Sequence, residues 1–294
     1  MFSWDRERRY ANPLYWSSVV AAASLLVLFI TGIFLAFWYH PSPERAYKSI
    51  EFISSYVYFG RLLLSLHHWA THLLIISTII HMLRVYVMRE EEVRRIWNLA
   101  TGLLITSIFF IYTGYLLRWD NLGYWSVEVT SSIIGYIPIM GEFLRKLILG
   151  GEQITSLSLI RFYFMHVALL PLILVCLVLY HYYSVRKKTF SWGEVGIGMF
   201  TIGVLLCISV IEPFHLSSEV SYELDFQIKP FWLFLWLYTI ERLIGIINPS
   251  LNFMVPLSLI MVLTFVYSMP RIKKKNGIAV LIIILVLSII GTFW

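Results

Sequence analysis

The chain alternates long apolar runs with short polar segments. Seven of these runs reach about the ~20 residues that a helix needs to cross a bilayer. They lie at residues 15–39, 63–88, 99–117, 162–185, 195–211, 251–269 and 278–294. An amphiphilic stretch at 230–247 contains Glu241 and Arg242, which favours a surface or re-entrant helix over an eighth span. The pattern predicts an all-α integral membrane protein with several spans.

Two of the apolar runs contain histidines at matched spacings. His67 and His81 in span two are fourteen residues apart. At ~100° per residue they share a helix face and are separated by a rise of ~21 Å. His166 and His181 in span four are fifteen residues apart, which is about 60° off one face with a rise of ~22 Å. Paired imidazoles inside an apolar bundle are typical of low-spin haem electron transfer. We therefore predict a four-helix bundle that binds two haems.

Residues near these histidines permit more than one interpretation. His68 and His72 form an i,i+4 pair on another face of span two. They fit either a metal pair or polar residues near the outer interface. Small residues also recur at fourteen-residue spacing, where they fit either close approach of a flat macrocycle or ordinary small-residue helix packing. These small residues are Ser18 and Gly32 in span one, and Ala100 and Gly114 in span three.

Composition and charge support the membrane prediction. Hydrophobic residues make up 59% of the 294 residues and charged residues 14%, which excludes a soluble globular protein. Basic residues precede span one and follow spans two, four and six, so alternating spans bring them to one side. The positive-inside rule makes that side, and the N-terminus, cytoplasmic. Because the net charge of +6 is dispersed among helix ends, nucleic acid is not an expected partner.

The two cysteines predict no metal site. Cys176 and Cys207 form no CxxC motif, so they indicate neither a zinc site nor covalent attachment of a c-type haem. Both lie within apolar spans, where we expect them to be small buried side chains.

Four segments resemble those of a known family. They are ITGIFLAFWYHPSPERAYKSIEFI, HHWATHLLIISTIIHMLRVYV, TGYLLRWDNLGYWSV and LIRFYFMHVALLPL. Together with the paired histidines, they resemble the cytochrome b family of quinol-oxidising complexes, in its cytochrome b6 plus subunit IV form, here fused into one chain. The resemblance covers nearly the whole chain. It implies a di-haem domain of four spans at 1–188 and a subunit IV-like domain of three spans at 189–294.

The resemblance also implies how the haems are bound. His67 and His166 would bind the iron of an outer, low-potential haem b, and His81 with His181 that of an inner, high-potential one. Arg84 would pair with a haem propionate. The family places glycines where the macrocycles approach the helices, and the matching positions here are all small. These positions are Ser18, Gly32, Ala100 and Gly114.

The function implied by the resemblance is that of the di-haem b subunit of a bc/b6f-type complex. This quinol-oxidising oxidoreductase transfers electrons across the membrane between outer and inner quinone sites. The implied partners are quinol, membrane lipid, a Rieske-type iron–sulfur protein, a c-type cytochrome or other soluble carrier, and a second copy in a homodimer. We expect a prokaryotic plasma membrane. The alternative is a haem-bearing anchor of another oxidoreductase, without quinol bifurcation.

Two positions near the haems depart from the family pattern. Leu64 stands where the family has an arginine three residues before the outer histidine, so that Arg61 or Arg118 would have to supply the charge. Ser24 stands where cytochrome b6 has the cysteine that anchors an extra c-type haem. We therefore expect no covalent haem.

The outer quinol site is degenerate. Pro230, Phe231 and Trp232 stand where the family has Pro-Glu-Trp, so the glutamate that would accept a quinol proton is absent. Either another acid takes over this role, or the site does not oxidise quinol by the usual route. The candidate acids are Glu128, Glu212, Glu219, Glu223 and Asp225.

Overall fold

The structure is a computed structural model that describes residues 13–88, 90–185, 191–221 and 230–293. All regular secondary structure in these ranges is helical. Seven helical segments are long and apolar enough to cross a membrane, which confirms the predicted all-α membrane fold and its seven spans. These are Leu14–Ala36, Gly60–Val87, Ile96–Leu117, Ser156–Ser184, Trp192–Ile211, Pro249–Arg271 and Lys274–Phe293.

The helices of the described residues are numbered in chain order. They are α1 (Ser17–Ala36), α2 (Ala46–Tyr56), α3 (Gly60–Met88), α4 (Glu90–Leu117), α5 (Asn121–Gly135), α6 (Gly141–Leu149), α7 (Ser156–Ser184), α8 (Trp192–Ile211), α9 (Leu235–Ile247), α10 (Met254–Ser268) and α11 (Lys274–Phe293). Short 3₁₀ turns occur at Pro13–Trp16, Trp232–Phe234, Pro249–Leu251 and Met269–Arg271. With 13 residues, α9 is too short to span a bilayer, as its charged residues predicted.

The chain forms two compact units, each assembled from separate segments. The first contains the residues up to His40 together with Lys48–Ile111 and Val167–Leu216. The second contains Pro41–Tyr47, Tyr112–His166 and the residues from Ser217 onward. Each unit therefore takes segments from both sides of residue 188. The predicted boundary at 188 lies among residues 186–190, outside the described residues, and stays a prediction.

The first unit is held together by aliphatic packing of α1 and α8 against α3. Val27 of α1, Leu66 and Ala70 of α3 and Leu205 of α8 form one buried cluster. Ala70 is completely buried, so its small side chain lets neighbouring helices approach closely. This packing positions α3, the helix that contains His67 and His81.

The second unit packs α5, α9, α10 and α11 around one apolar cluster. Ile133 of α5 joins Trp236 and Leu237 of α9 and Val255 of α10. The Thr239 hydroxyl of α9 donates to the Leu287 carbonyl of α11 at 2.8 Å. The helix α9 directly follows the segment at 230–234. This cluster therefore holds residues 230–232, the degenerate quinol-site motif, close to α5.

Burial of the cysteines was predicted wrongly. Cys176 in α7 and Cys207 in α8 are both exposed in the isolated chain. Their helices pack on few neighbours, and only 17% and 22% of the two span windows is buried. An apolar helix side faces lipid as readily as a protein core, so hydrophobicity alone did not distinguish the two.

A buried carboxylate fixes the segment between α4 and α5 of the second unit. Asp120 has no exposed surface, and it accepts hydrogen bonds from Arg118 Nε at 3.1 Å, Gly123 N at 2.8 Å and Ser217 N at 2.9 Å. It thereby caps α5, pairs with the end of α4 and binds a loop almost one hundred residues later. Next to it, the Asn121 side chain accepts from Ser221 N at 2.7 Å.

Replacing this carboxylate should destabilise the protein strongly. We expect Asp120→Ala to lower stability by about 3–5 kcal/mol, because it removes the fully buried carboxylate that pairs with the largely buried Arg118 guanidinium. The measurement is the thermal melting midpoint of the purified protein in detergent. As a control, Glu152→Ala removes the exposed pair with Lys146 and should leave the midpoint unchanged. Equal midpoints for the two variants would contradict the structural role of Asp120.

Candidate functional site

His67 is held by a threonine on the neighbouring helix of the first unit. Thr31 of α1 lies 2.9 Å from His67 Nδ1 and is almost completely buried. The Thr31 hydroxyl donates its only proton to the Val27 carbonyl at 2.7 Å. The contact with His67 is therefore an Nδ1–H bond donated to the threonine oxygen. This fixes the tautomer in which Nε2 carries a free lone pair.

A threonine also lies beside His166, in the second unit. Thr113 of α4 lies 3.0 Å from His166 Nδ1 and is 1% exposed. Each of the two threonines is followed by a glycine that faces the same imidazole. A Cβ added at Gly32 would lie 3.4 Å from His67 Cε1, and one at Gly114 only 2.8 Å from His166 Cε1. These two glycines were predicted as positions where a flat macrocycle approaches the helix. In this structure the groups that lie close to them are the imidazoles of His67 and His166.

The two threonines were missed by sequence reasoning. Their signal is a repeated Thr-Gly pair, at 31–32 and 113–114. The spacing argument selected the glycines because it considered only the space that a flat group needs. An imidazole inside a helix bundle also needs a hydrogen-bond partner for its second ring nitrogen. The threonine of each Thr-Gly pair is that partner, and the spacing argument did not consider it.

A π-helical turn interrupts α7 at the first of its two histidines. Residues Met165–Leu169 form this turn between α-helical segments. A π turn accommodates one extra residue, so the fifteen-residue spacing from His166 to His181 corresponds to fourteen in an uninterrupted α-helix. The spacings in α3 and α7 are therefore equivalent. The turn ends two residues before Pro171, whose lack of an N–H also disfavours regular α-helical bonding.

His81 and His181 lie opposite each other in the first unit. Their ring centres are 6.4 Å apart, and the rings are nearly perpendicular, at 83°. Two imidazoles that bind one metal ion from opposite sides, with metal–nitrogen distances of ~2.0 Å, have ring centres about 6 Å apart. Among the residues that the structure describes, His181 Nδ1 is buried and has no hydrogen-bond partner.

Arg84 lies next to this pair, one turn beyond His81. Its Nη2 is 3.5 Å from His81 Nδ1, at the limit of a hydrogen bond, and its Nη1 donates to the Tyr15 carbonyl at 3.3 Å. The guanidinium also stacks over the Tyr15 ring at 5.1 Å.

The other two small positions lie in the same helices as Gly32 and Gly114. Ser18 is half-buried, with its hydroxyl 3.5 Å from the Tyr15 carbonyl, and Ala100 is half-buried.

His68 and His72 belong to an aromatic cluster. Their ring centres are 4.7 Å apart, and Trp69 and Phe214 pack against them at 5.3 to 5.6 Å. Trp69 Nε1 donates to the Glu212 carbonyl at 2.8 Å. In the described residues, no group of three or more His, Cys, Asp or Glu side chains could hold a metal ion.

The structure also places the residues that depart from the family pattern. Leu64 is buried in an apolar cluster with Ile50 and Ile53, a setting that suits leucine better than arginine. Arg118 is paired with Asp120, so its charge is already compensated. Ser24 is completely buried and donates to the Val20 carbonyl.

The motif at 230–232 is apolar and buried at its centre. Phe231 is 6% exposed and packs edge-on against Tyr115, with ring centres 5.7 Å apart. Trp232 adjoins it at 5.2 Å. Of the candidate acids, Glu212 and Glu219 are exposed, whereas Glu128 is half-buried and paired with Arg145. Glu223 and Asp225 lie outside the described residues.

Comparison with known proteins accounts for this arrangement. The family model for cytochrome b/b6/petB matches residues 10–189, which is more than half of the chain. The chain belongs to the cytochrome b/b6 family. Cytochrome b6 of Synechococcus sp. (strain CC9605) is 33% identical over 186 residues, covering 62% of this chain and 84% of that protein. Cytochrome b6 of Heliobacterium mobile is 36% identical over 182 residues, covering 61% and 85%.

A solved structure extends the likeness in fold. One chain of a hyperthermophilic respiratory Complex III superposes with a TM-score of 0.80, covering 96% of this cytochrome b and 84% of that chain. At 22% identity this match supports the fold alone. The family membership makes the protein an integral membrane cytochrome b of electron transport and implies b-type haem as its cofactor.

The residues of the site fit such a cofactor. His67 and His166 each have Nδ1 at hydrogen-bond distance from a threonine hydroxyl, which favours an Nε2 available for iron. The glycine beside each threonine leaves space that a Cβ would fill. The 6.4 Å separation of His81 and His181 fits axial binding from two sides.

A methyl group at Gly114 should disturb cofactor binding. We expect Gly114→Ala to lower the haem content per protein severalfold, because its Cβ would lie within 2.8 Å of the His166 ring. Gly102→Ala, in the same helix, is the matched control, since nothing lies within 4 Å of its Cβ. The measurement is haem per protein by the pyridine haemochrome spectrum. Equal haem contents in the two variants would refute the role of Gly114.

Proposed function

We propose that the protein is the di-haem b subunit of a quinol-oxidising bc/b6f-type complex. His67 and His166 would bind the outer haem iron, and His81 with His181 the inner one. The observation that carries this proposal is the opposed, nearly perpendicular pair of imidazoles at 6.4 Å. Matched Thr-Gly pairs beside the other two histidines support a second site of the same chemistry.

The chain itself positions and tunes the ligands. Bound haem would supply one-electron redox chemistry. The threonine hydroxyls orient His67 and His166, and a ring that donates its Nδ1–H to the threonine oxygen becomes a better electron donor at Nε2. Arg84 supplies a positive charge beside His81, where it would neutralise a haem propionate. In a bilayer, the apolar spans around the four imidazoles would keep water away from them.

Charge distribution supports an orientation for this electron path. We infer that the N-terminus and the His81/His181 end face the cytoplasm, because basic residues follow the even-numbered spans. Electrons moving from the outer to the inner quinone site would then move against the membrane potential, at a cost of ~2.3 kcal/mol per 100 mV. The proposed location is a prokaryotic plasma membrane.

The homologues support a multi-subunit assembly. We propose that the chain works with a Rieske-type iron–sulfur protein and a c-type cytochrome or other soluble carrier, as a homodimer in the membrane. Residues 1–188 would form the haem-binding domain and 189–294 a fused subunit IV-like domain. No covalent haem is expected, because Ser24 has no thiol.

A haem-bearing anchor without quinol bifurcation is the second candidate function. The observation in its favour is Phe231, an apolar side chain packed against Tyr115 where a proton-accepting carboxylate would be expected. Phenylalanine cannot accept a proton, so quinol oxidation at this site needs another base.

Oxidant-induced reduction separates the two functions. The complex is supplied with quinol, its inner quinone site is blocked, and a high-potential oxidant is added while the b-haem absorbance is followed. We expect the haems to become reduced on addition of oxidant, because the outer site divides the two quinol electrons between two acceptors. Simple oxidation of the haems would instead support the anchor.

Removing one threonine hydroxyl tests the ligand assignment. We expect Thr31→Val to raise the midpoint potential of one haem by roughly 20–65 mV, because a hydrogen bond of about 0.5–1.5 kcal/mol that favours the oxidised state is lost. Redox titration of the α-band absorbance measures the shift. Thr201→Val in α8 is a control, since that hydroxyl donates to the Ile197 carbonyl within its own helix. An identical shift in both variants, or none in Thr31→Val, would contradict the assignment.

A further inference from the structure

Two histidines of α3 have no role in the proposed function. His68 and His72 lie about one helical turn apart, and both are half-buried. A titratable side chain within a membrane-spanning helix is costly to bury and commonly marks a functional site. Both residues are distinct from the four histidines that are proposed to bind haem. The pair is therefore a candidate for a second kind of site.

The separation of the two rings fits binding of one metal ion from adjacent positions. The ring centres are 4.7 Å apart, and the ring planes are 70° apart. Imidazoles at adjacent positions of a tetrahedral or octahedral ion, with metal–nitrogen distances of ~2.0–2.1 Å, have ring centres about 4.4–5.2 Å apart. The opposed rings of His81 and His181 are further apart, at 6.4 Å. The shorter separation thus corresponds to neighbouring ligands rather than to ligands on opposite sides.

The sequence spacing of the pair suits the same chemistry. Two histidines at i and i+4 on a helix bind zinc in the His-Glu-x-x-His motif, and His68 and His72 have that spacing. Each imidazole has two ring nitrogens, so that one can bind an ion while the other keeps a hydrogen bond. Because no group of three or more such ligands occurs in the described residues, water would fill the remaining positions of the ion.

A loop at the end of α8 crosses α3 beside this pair. Phe214 N donates to the Ser65 hydroxyl at 2.9 Å, and Trp69 Nε1 donates to the Glu212 carbonyl at 2.8 Å. The two bonds attach the loop to α3 before and after His68. The His68 ring itself packs on Phe214, with ring centres 5.4 Å apart. The loop therefore holds this imidazole in place.

The same loop brings the pair close to polar surface. The helix α8 ends at Ile211, and Glu212 and His215 of the loop are exposed. His68 is eight residues from the beginning of α3, a rise of ~12 Å. An ion could therefore reach the pair from the end of the span, past a loop that contains a carboxylate and so attracts cations.

We propose that His68 and His72 together bind one divalent transition-metal ion of the zinc class. One ring nitrogen of each histidine and water molecules bind the ion, beside the loop at 212–215. Imidazole ligands favour zinc, copper and nickel over magnesium and calcium. Edge-on packing of two imidazoles without an ion gives a similar ring separation. Measured binding of the ion therefore decides between the two.

The test measures zinc binding to the purified, haem-loaded protein without a polyhistidine tag. After treatment with a chelator, the protein is titrated with zinc in a calorimeter, and we expect about one zinc ion per chain. His68→Gln and His72→Gln should each lower the zinc affinity by about tenfold or more, because one of two protein ligands is lost. His40→Gln is the control, since it removes an exposed histidine between α1 and α2 and should leave binding at the parental level.

X-ray absorption at the zinc K-edge provides a second measurement on the parent protein. It should show two imidazole nitrogens at about 2.0–2.1 Å from the ion. Parental affinity in either variant with full haem content, or absence of stoichiometric zinc in the parent, would overturn the site and leave only edge-on packing of the rings. If both variants fail to assemble, the absorption spectrum decides, and a zinc ion without imidazole ligands overturns the proposal. None of these outcomes involves quinol, so failure of this site is distinguishable from failure of the proposed function.

Discussion

The site of this cytochrome b depends on one physical constraint, the hydrogen bonding of imidazole inside an apolar bundle. Neutral imidazole has one N–H and one lone pair, and in the absence of water an unpaired N–H is destabilising. Thr31 meets this requirement for His67, since its own proton is bonded to Val27 and its oxygen is left to accept. The bond leaves Nε2 as the free lone pair, so the same contact that makes burial of the histidine tolerable also prepares it to bind iron.

Helix geometry then determines how the histidines are spaced. Fourteen residues bring two side chains to one face of a straight α-helix, as in α3. The same relation holds in α7 only because the π turn at Met165–Leu169 accommodates an additional residue. A local irregularity, which includes His166 itself, thus compensates for a different spacing in the sequence. Glycine after each threonine keeps the space at the imidazole open, so the helix contact and the hydrogen bond belong to one Thr-Gly unit.

The spans could be predicted because they follow from hydrophobic periodicity, which is a local property of sequence; the matched histidine spacings follow from the same periodicity, and their assignment as ligands stays a prediction. Other features required partners that are distant in the chain. Asp120 binds the backbone of Ser217, and no pattern at position 120 identifies a backbone amide about one hundred residues later. The exposure of Cys176 was not predictable either, because lipid and protein core favour the same apolar residues. The threonine partners could have been predicted from the repeated Thr-Gly pair, if a hydrogen-bond partner had been sought for the second ring nitrogen of each histidine.

Phe231 shows how the replacement of a family residue is linked to its surroundings. Phe231 packs against Tyr115, and the nearby Arg118 is bound to Asp120, so this arginine offers no free counter-charge to an acid at position 231. An apolar ring suits that environment better than a carboxylate would. Any base for quinol must then be a side chain other than that of Phe231.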